Sequence, residues 1–269
     1  MPEVMGAERD RWHARRLTRL RSVVRMMDIA VEVKGLTREY RHKTALNGVD
    51  LSIATGETVG ILGSNGAGKS TLVETIAGLR RPSAGSVRVF GLDPWRDRAR
   101  VRGALGVQLQ EAQLHSDLTV AENIRLHRSF YREGERPEEL MEKLGLVASA
   151  RVRAQHLSGG QAQRLSVAVA LVGRPRIVIL DELTTGLDPE GRRDIWRVIE
   201  LMQEREATVL LVSHSMDEVE RLCDRVVMLD RGRVAIEGTP ADLVTRTGSE
   251  NLEDAFLRVR ERTAERRAS

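Results

Sequence analysis

The chain has 269 residues, with 43 Lys and Arg against 39 Asp and Glu, a formal charge of +4 and 41% hydrophobic residues, a balance that excludes disordered and fibrous classes and allows a sizeable core. No apolar run approaches the roughly 18 residues that a membrane-crossing helix needs. The lone cysteine, Cys223, excludes an internal disulfide framework and a multi-cysteine zinc site, and suits a reducing, cytosolic setting.

Residues 1–27 stand apart. They hold seven arginines, three acids and no lysine, which leaves residues 28–269 with 36 basic and 36 acidic side chains. The basic excess therefore belongs to this Arg-rich extension, and a nucleic-acid partner is not expected. Residues 8–27 suit a helix, but no apolar segment follows the charges as a secretory signal requires. Three readings stand: a frayed extension, a basic arm resting on anionic lipid headgroups, or sequence upstream of a translation start at Met26-Met27.

From Asp28 onward the pattern is α/β. Residues 29–33 and 49–53 alternate apolar and polar side chains, as half-buried strands do. Residues 58–62 form an apolar run that leads into a Gly-rich turn and a helix over 71–79, and residues 86–90 alternate again. Between about 113 and 156 the strand signal vanishes. Thr119 to Glu122 reads as a capping box, and Pro137 opens a helix that Gly145 ends. Strand and helix patterns then alternate: a helix to Leu171, a strand over 176–180, a helix over 189–204, a strand over 208–212, a helix over 215–222 and a strand over 225–229. Ser215 to Glu218 reads as another capping box. Such alternation predicts a mostly parallel sheet covered by helices, with the central helical block as an inserted subdomain.

The stretch Gly63, Ser64, Asn65, Gly66, Ala67, Gly68, Lys69, Ser70, Thr71 follows a strand and opens a helix, the context a phosphate-binding loop requires. Its glycines let backbone N–H groups curl round a phosphate at the positive end of a helix. Lys69, one of only four lysines, supplies a point charge, and the Ser70 hydroxyl can ligate Mg²⁺. A metal-binding acid on a neighbouring strand should accompany such a loop. The run over 177–180 ends in Asp181 and Glu182, which suit the Mg²⁺ shell and the polarisation of an attacking water.

Between these elements lies Leu157-Ser158-Gly159-Gly160-Gln161, a second anion cradle at a helix start. In this order the motifs resemble the ATP-binding cassette (ABC) ATPases, and the resemblance covers about residues 29–243. It implies a P-loop NTPase fold: a RecA-like core with a mostly parallel sheet, an antiparallel β subdomain, and an inserted α-helical subdomain over about 112–160. The cassette would occupy 28–243, and 244–269 would form a helical tail.

By the same resemblance, Tyr40 stacks on adenine, and Gln110 links the metal site to the helical subdomain, with Gln108 as the competing choice. Asp188, after Gly186-Leu187, sits on the loop that crosses to a partner subunit, and His214 contacts the γ phosphate. Glu182, His214 and Gln110 would be the catalytic set, and Ser70, Gln110 and Asp181 the Mg²⁺ set. Ser158, Gly159, Gly160, Gln161 and Asp188 would complete the partner subunit's ATP site. Leu183 stands where the family commonly has proline, which leaves that turn freer.

The resemblance implies a Mg-dependent ATPase that forms a homodimer round ATP and energises separate transmembrane permease subunits from the inner face of the cell membrane. The region of Tyr40, Ala45 and Leu46, with residues 118–123 and 252–256, looks most like the drug- and polysaccharide-export branch, such as the daunorubicin-type resistance ATPases. The alternative is a soluble family member acting in iron–sulfur assembly or on nucleic acid or ribosomes.

Overall fold

The computed structural model describes residues 29–109, 114–184 and 187–268, with side chains to 263. The Arg-rich extension, Gln110 and Gly186 lie outside the described residues. The strands are β1 (Ile29–Tyr40), β2 (Lys43–Ala54), β3 (Thr58–Gly63), β4 (Ala84–Val89), β5 (Leu105–Gln108), β6 (Ile177–Asp181), β7 (Thr208–Val212), β8 (Arg225–Asp230) and β9 (Arg233–Gly238). The helices are α1 (Lys69–Ile76), α2 (Arg98–Ala104), α3 (Val120–Ser129), α4 (Pro137–Lys143), α5 (Gly159–Leu171), α6 (Pro189–Glu204), α7 (Met216–Leu222), α8 (Pro240–Thr247) and α9 (Leu252–Ala268).

Two sheets organise these elements. The larger has the order β5-β6-β7-β3-β8-β9, parallel from β5 to β8 with β9 antiparallel at its edge. The smaller is β2-β1-β4, antiparallel throughout. The α/β expectation holds, with β3 in the interior of the large sheet because its six residues are all buried.

Successive side chains of β3, β6, β7 and β8 point to opposite faces and enter two separate cores. Leu62, Val178, Leu180 and Leu211 pack under the helices, and Ile61, Ile179, Leu210 and Val227 pack toward the antiparallel sheet and α1. Helix α6 shows how one face closes the first core. Ile195, Val198, Ile199 and Met202 recur at helical spacing and are its buried residues. Each such side chain contributes about 1.5–3 kcal/mol relative to exposure.

The helical block lies between β5 and β6 in sequence. Thr119 caps α3 in a full capping box with Glu122, Pro137 starts α4, and Gly145 follows that helix at φ 62°. Its attachment to the sheet is ionic as well as apolar. Glu135, 3% exposed, takes Lys143 at 3.5 Å, Arg174 at 3.1 Å and Arg205, the residue after α6. Burial raises the Glu135 pKa, but Arg205, Arg174 and Lys143 outweigh it and hold the carboxyl below its ordinary range.

The expected capping box at Ser215 does not form. The Ser215 side chain makes no cap hydrogen bond, and Glu218 turns inward instead, fully buried. Burial of Glu218 among better-placed donors overrides the local motif, as described below.

Candidate nucleotide site

Gly63 ends β3 and Lys69 begins α1, so the loop between them bends the chain from the middle of the sheet into a helix. Gly68 has φ 108°, and a Cβ there would lie 2.5 Å from the Ala45 carbonyl oxygen, so only glycine fits. The loop is closed by the Ala67 N–H to the Ser64 carbonyl (3.0 Å) and braced by the Gly232 N–H to the Ala67 carbonyl (2.8 Å). Lys69, 7% exposed, lies along the inside and donates to the carbonyls of Gly63 (2.8 Å) and Ser64 (3.3 Å). Burial lowers its pKa, against the pull of Glu182 and Asp181.

The first turn of α1 reaches two other elements. The Ser70 hydroxyl bonds the Asp181 carboxylate, and the Thr71 hydroxyl bonds Tyr40 at the end of β1. Tyr40 is 38% exposed, with the Arg38 guanidinium 4.8 Å from its ring centroid and Arg80 donating to its hydroxyl at 3.3 Å. Burial raises the phenol's pKa, yet hydrogen bonds and charge from Arg38, Arg80 and Thr71 outweigh it and hold it below its ordinary value.

Asp181 is the last residue of β6 and is 3% exposed. Desolvation, then the neighbouring Glu182 charge, pushes its pKa up to about 6, with Lys69 and Ser70 opposing. Gln108 on the adjacent β5 is buried against it. Its side-chain oxygen accepts the Asp181 N–H at 3.1 Å, and its amide donates to the Leu109 carbonyl at 3.0 Å.

Glu182 has φ 53°, a left-handed conformation that costs a non-glycine residue about 1–2 kcal/mol. The Glu182 N–H bonds the Val212 carbonyl at 2.9 Å, and its carboxylate meets His214 Nε2 at 2.9 Å. Leu183 follows and is fully buried in the helix-side core. Where proline would fix the turn through φ, this chain anchors it by burial, so the turn is not freed as the sequence suggested.

The Ser158 to Gln161 segment keeps its hydrogen bonds local. The Ser158 hydroxyl accepts the Gln161 N–H (3.3 Å), the Gln161 side chain accepts the Ser158 N–H (3.0 Å), and its amide donates to the Ser149 hydroxyl (2.9 Å). Around Gly159 a Cβ would meet nothing within 4 Å, which leaves the helix start open, while at Gly160 it would lie 3.3 Å from Leu187. Asp188 caps α6 through the Gly191 N–H at 2.7 Å. The structure thus gathers Tyr40, Gly63 to Thr71, Asp181, Glu182 and His214, and holds Ser158 to Gln161 and Asp188 at helix starts beside Leu187.

Two features escaped the sequence reading. Ser64, Asn65, Gly66 and Ala67 face a hollow of about 460 Å³ whose far wall is Leu257 and Arg260 of α9. Beside His214, Glu218 gathers Ser213, Trp196 and Thr184. The inward turn of Glu218 had no local signal, because Ser-x-x-Glu at a helix start reads as a surface cap.

The donor set fits a nucleotide with a divalent cation. A hydroxyl and a buried carboxylate, both oxygen donors, stand together at Ser70 and Asp181, which suits Mg²⁺. The glycine-lined loop at a helix N-terminus suits phosphate.

A family profile described as ABC transporter matches residues 46–185. A daunorubicin resistance ATP-binding protein, DrrA3, of Streptomyces coeruleorubidus is 39% identical over 87% of this chain and 75% of its own length. A methionine import ATP-binding protein, MetN, of Streptomyces coelicolor is 38% identical over 82% of this chain and 68% of its own length. Among solved structures, the ATP-binding subunit of an ABC transporter superposes with a TM-score of 0.80 at 28% identity, covering 86% of this chain and 99% of that one. A dimeric ATP-binding cassette, MJ0796, in a post-hydrolysis state with ADP and Pi, gives a TM-score of 0.73 at 28% identity over 78% of this chain and 98% of that one. Profile, relatives and fold agree with the site: the chain belongs to the ABC transporter ATPase family and hydrolyses ATP in the service of transport.

Proposed function

We propose that this chain binds Mg-ATP between its phosphate loop and the Ser158 to Gln161 segment of a second, identical subunit, and that the dimer drives an exporter. The observation that carries this reading is the convergence of Lys69, Asp181 and the Glu182–His214 pair at the C-terminal ends of the adjacent strands β3, β6 and β7. The ammonium of Lys69 would hold the β and γ phosphates, and Tyr40 would stack on adenine. Ser70, Asp181 and Gln110 would hold Mg²⁺, which neutralises phosphate charge when bound. Glu182 accepts a proton from the attacking water, and His214 keeps that carboxylate facing the γ phosphate.

The open start of α5 supports a role for Ser158, Gly159, Gly160 and Gln161 toward a partner's nucleotide, with Asp188 beside them. Self-pairing gives a two-fold interface. Among the described residues no helix is long and apolar enough to cross a membrane, and the reading gives the transmembrane path to separate permease subunits. The protein would lie peripherally on the cytoplasmic face, with residues 28–243 as the cassette, about 112–160 contacting the permease and 244–269 as the tail. Export is favoured by the daunorubicin resistance relative and by a Nod factor export ATP-binding protein of Neorhizobium galegae, 41% identical over 80% of this chain and 64% of its own length.

Glu182→Gln tests the mechanism. The variant should retain ATP binding, lose hydrolysis and accumulate dimers. A monomer in gel filtration with saturating Mg-ATP refutes the sandwich.

A further inference from the structure

Glu218 lies in the first turn of α7 and is fully buried. Its carboxylate accepts the Ser213 hydroxyl, the Trp196 indole N–H at 3.2 Å and the Thr184 hydroxyl. These donors come from three separate segments: the loop after β7, helix α6 and the turn after β6. Thr184 stands two residues after Glu182, and Ser213 stands one before His214. The Ser213 hydroxyl also accepts the Ser215 N–H at 3.0 Å, so it brackets His214 from both sides. Burial raises the Glu218 pKa, and the Ser213, Trp196 and Thr184 hydrogen bonds offset part of that rise.

We propose that Glu218 is a positioning residue for ATP hydrolysis, setting the Glu182–His214 contact by tying the neighbours of both to one buried carboxylate. The inference rests on the proposed roles of Glu182 and His214. An apolar side chain of similar size would serve packing alone as well or better, since a buried carboxylate carries a desolvation penalty. What the carboxylate supplies is geometry: it accepts from three segments at once, two of which carry the reacting pair. Through Trp196 the same anchor holds α6, which Asp188 caps.

The test measures Mg-ATP turnover and thermal melting of the full chain with Glu218→Ala, Glu218→Gln and Ser213→Ala, alone and combined with His214→Ala. Glu218→Ala should lower kcat about 10–100-fold with KM for ATP within about threefold. Glu218→Gln, of equal shape, accepts from Trp196 and donates to Ser213, so it should recover most of kcat. Because the effect of Glu218 runs through the Glu182–His214 contact, which His214→Ala already removes, the His214→Ala/Glu218→Ala double variant should be no slower than about twofold below His214→Ala alone.

Multiplicative losses in the double variant, or an unchanged kcat in a cooperatively melting Glu218→Ala, overturn the proposal. If Glu218→Ala does not melt cooperatively, Ser213→Ala replaces it in the same cycle, since it cuts the link to His214 and leaves the carboxylate two donors. A His214→Ala variant as fast as the wild type overturns the assigned role of His214 itself, an outcome distinct from independent losses at Glu218.

Discussion

Asp181→Asn should make the nucleotide-free protein more stable while abolishing its Mg-dependent hydrolysis. Asp181 is 3% exposed and its pKa is pushed from 3.8 up to about 6. Between those values the folded chain holds a proton that the unfolded chain has released, so stability falls as pH rises through the window. Above pH 6 the whole cost remains. The shift corresponds to about 3 kcal/mol, an order-of-magnitude figure already net of the attraction to Lys69. Asparagine mimics the protonated form and keeps an acceptor for Ser70. In a chain of this size the gain should raise Tm by about 3–9 °C at pH 7.5. The advantage should shrink to roughly half by pH 5, where the wild-type carboxylate is mostly protonated in the fold. Thermal unfolding in EDTA without nucleotide, at both pH values, is the assay. An Asp181→Asn protein no more stable than wild type at pH 7.5, or one whose advantage ignores pH, refutes the argument.

Lys69→Ala removes the buried cation that lies along the inside of the loop. ATP affinity should fall about 10–100-fold, the worth of a charge-assisted hydrogen bond, in a fluorescent-nucleotide titration. Gly68→Ala sets a Cβ 2.5 Å from the Ala45 oxygen at φ 108°, so urea unfolding should show a loss of about 2 kcal/mol or more with nucleotide binding impaired. Glu135→Ala separates two possible magnitudes. Because the side chains of Arg174 and Arg205 are 60% and 59% exposed, water can solvate the released cations. Urea unfolding should therefore show about 1–2 kcal/mol rather than the 3–5 of an uncompensated buried charge.

Features written in local spacing were legible without coordinates. The Gly-rich loop between strand and helix, the Asp181-Glu182 strand end and the helix start at Ser158 each occupy a few consecutive positions, so period and motif suffice. The central strands were found for the same reason, since residues 177–180 of β6 and 209–212 of β7 are unbroken apolar runs. What escaped depends on contacts far apart in sequence. Strand β9 alternates weakly between exposed and half-buried residues, and α2 has one buried residue, Val101. Glu218 was misread because local propensity favoured a cap, whereas donors on three segments, two of them far away in sequence, decided its direction. Leu183 was judged by the absence of a ring, and its anchoring became visible only once the core beneath it was known.

The contact at Ala45 limits how this cassette can be recombined. Its carbonyl oxygen lies 2.5 Å from where a Cβ of Gly68 would sit and 2.6 Å from one on Gly232, and the Asn47 N–H bonds the Gly232 carbonyl at 2.8 Å. Main chain meets main chain at this joint, with no side chain to shorten or lengthen. Elsewhere the antiparallel sheet can drift, because apolar side chains repack when their backbones shift. A chimera that imports residues 29–54 from a relative inherits any error in the path of Ala45 to Asn47 directly as a displacement of the phosphate loop. The sheet is thus exchangeable as a module only when that stretch of backbone travels with it unchanged.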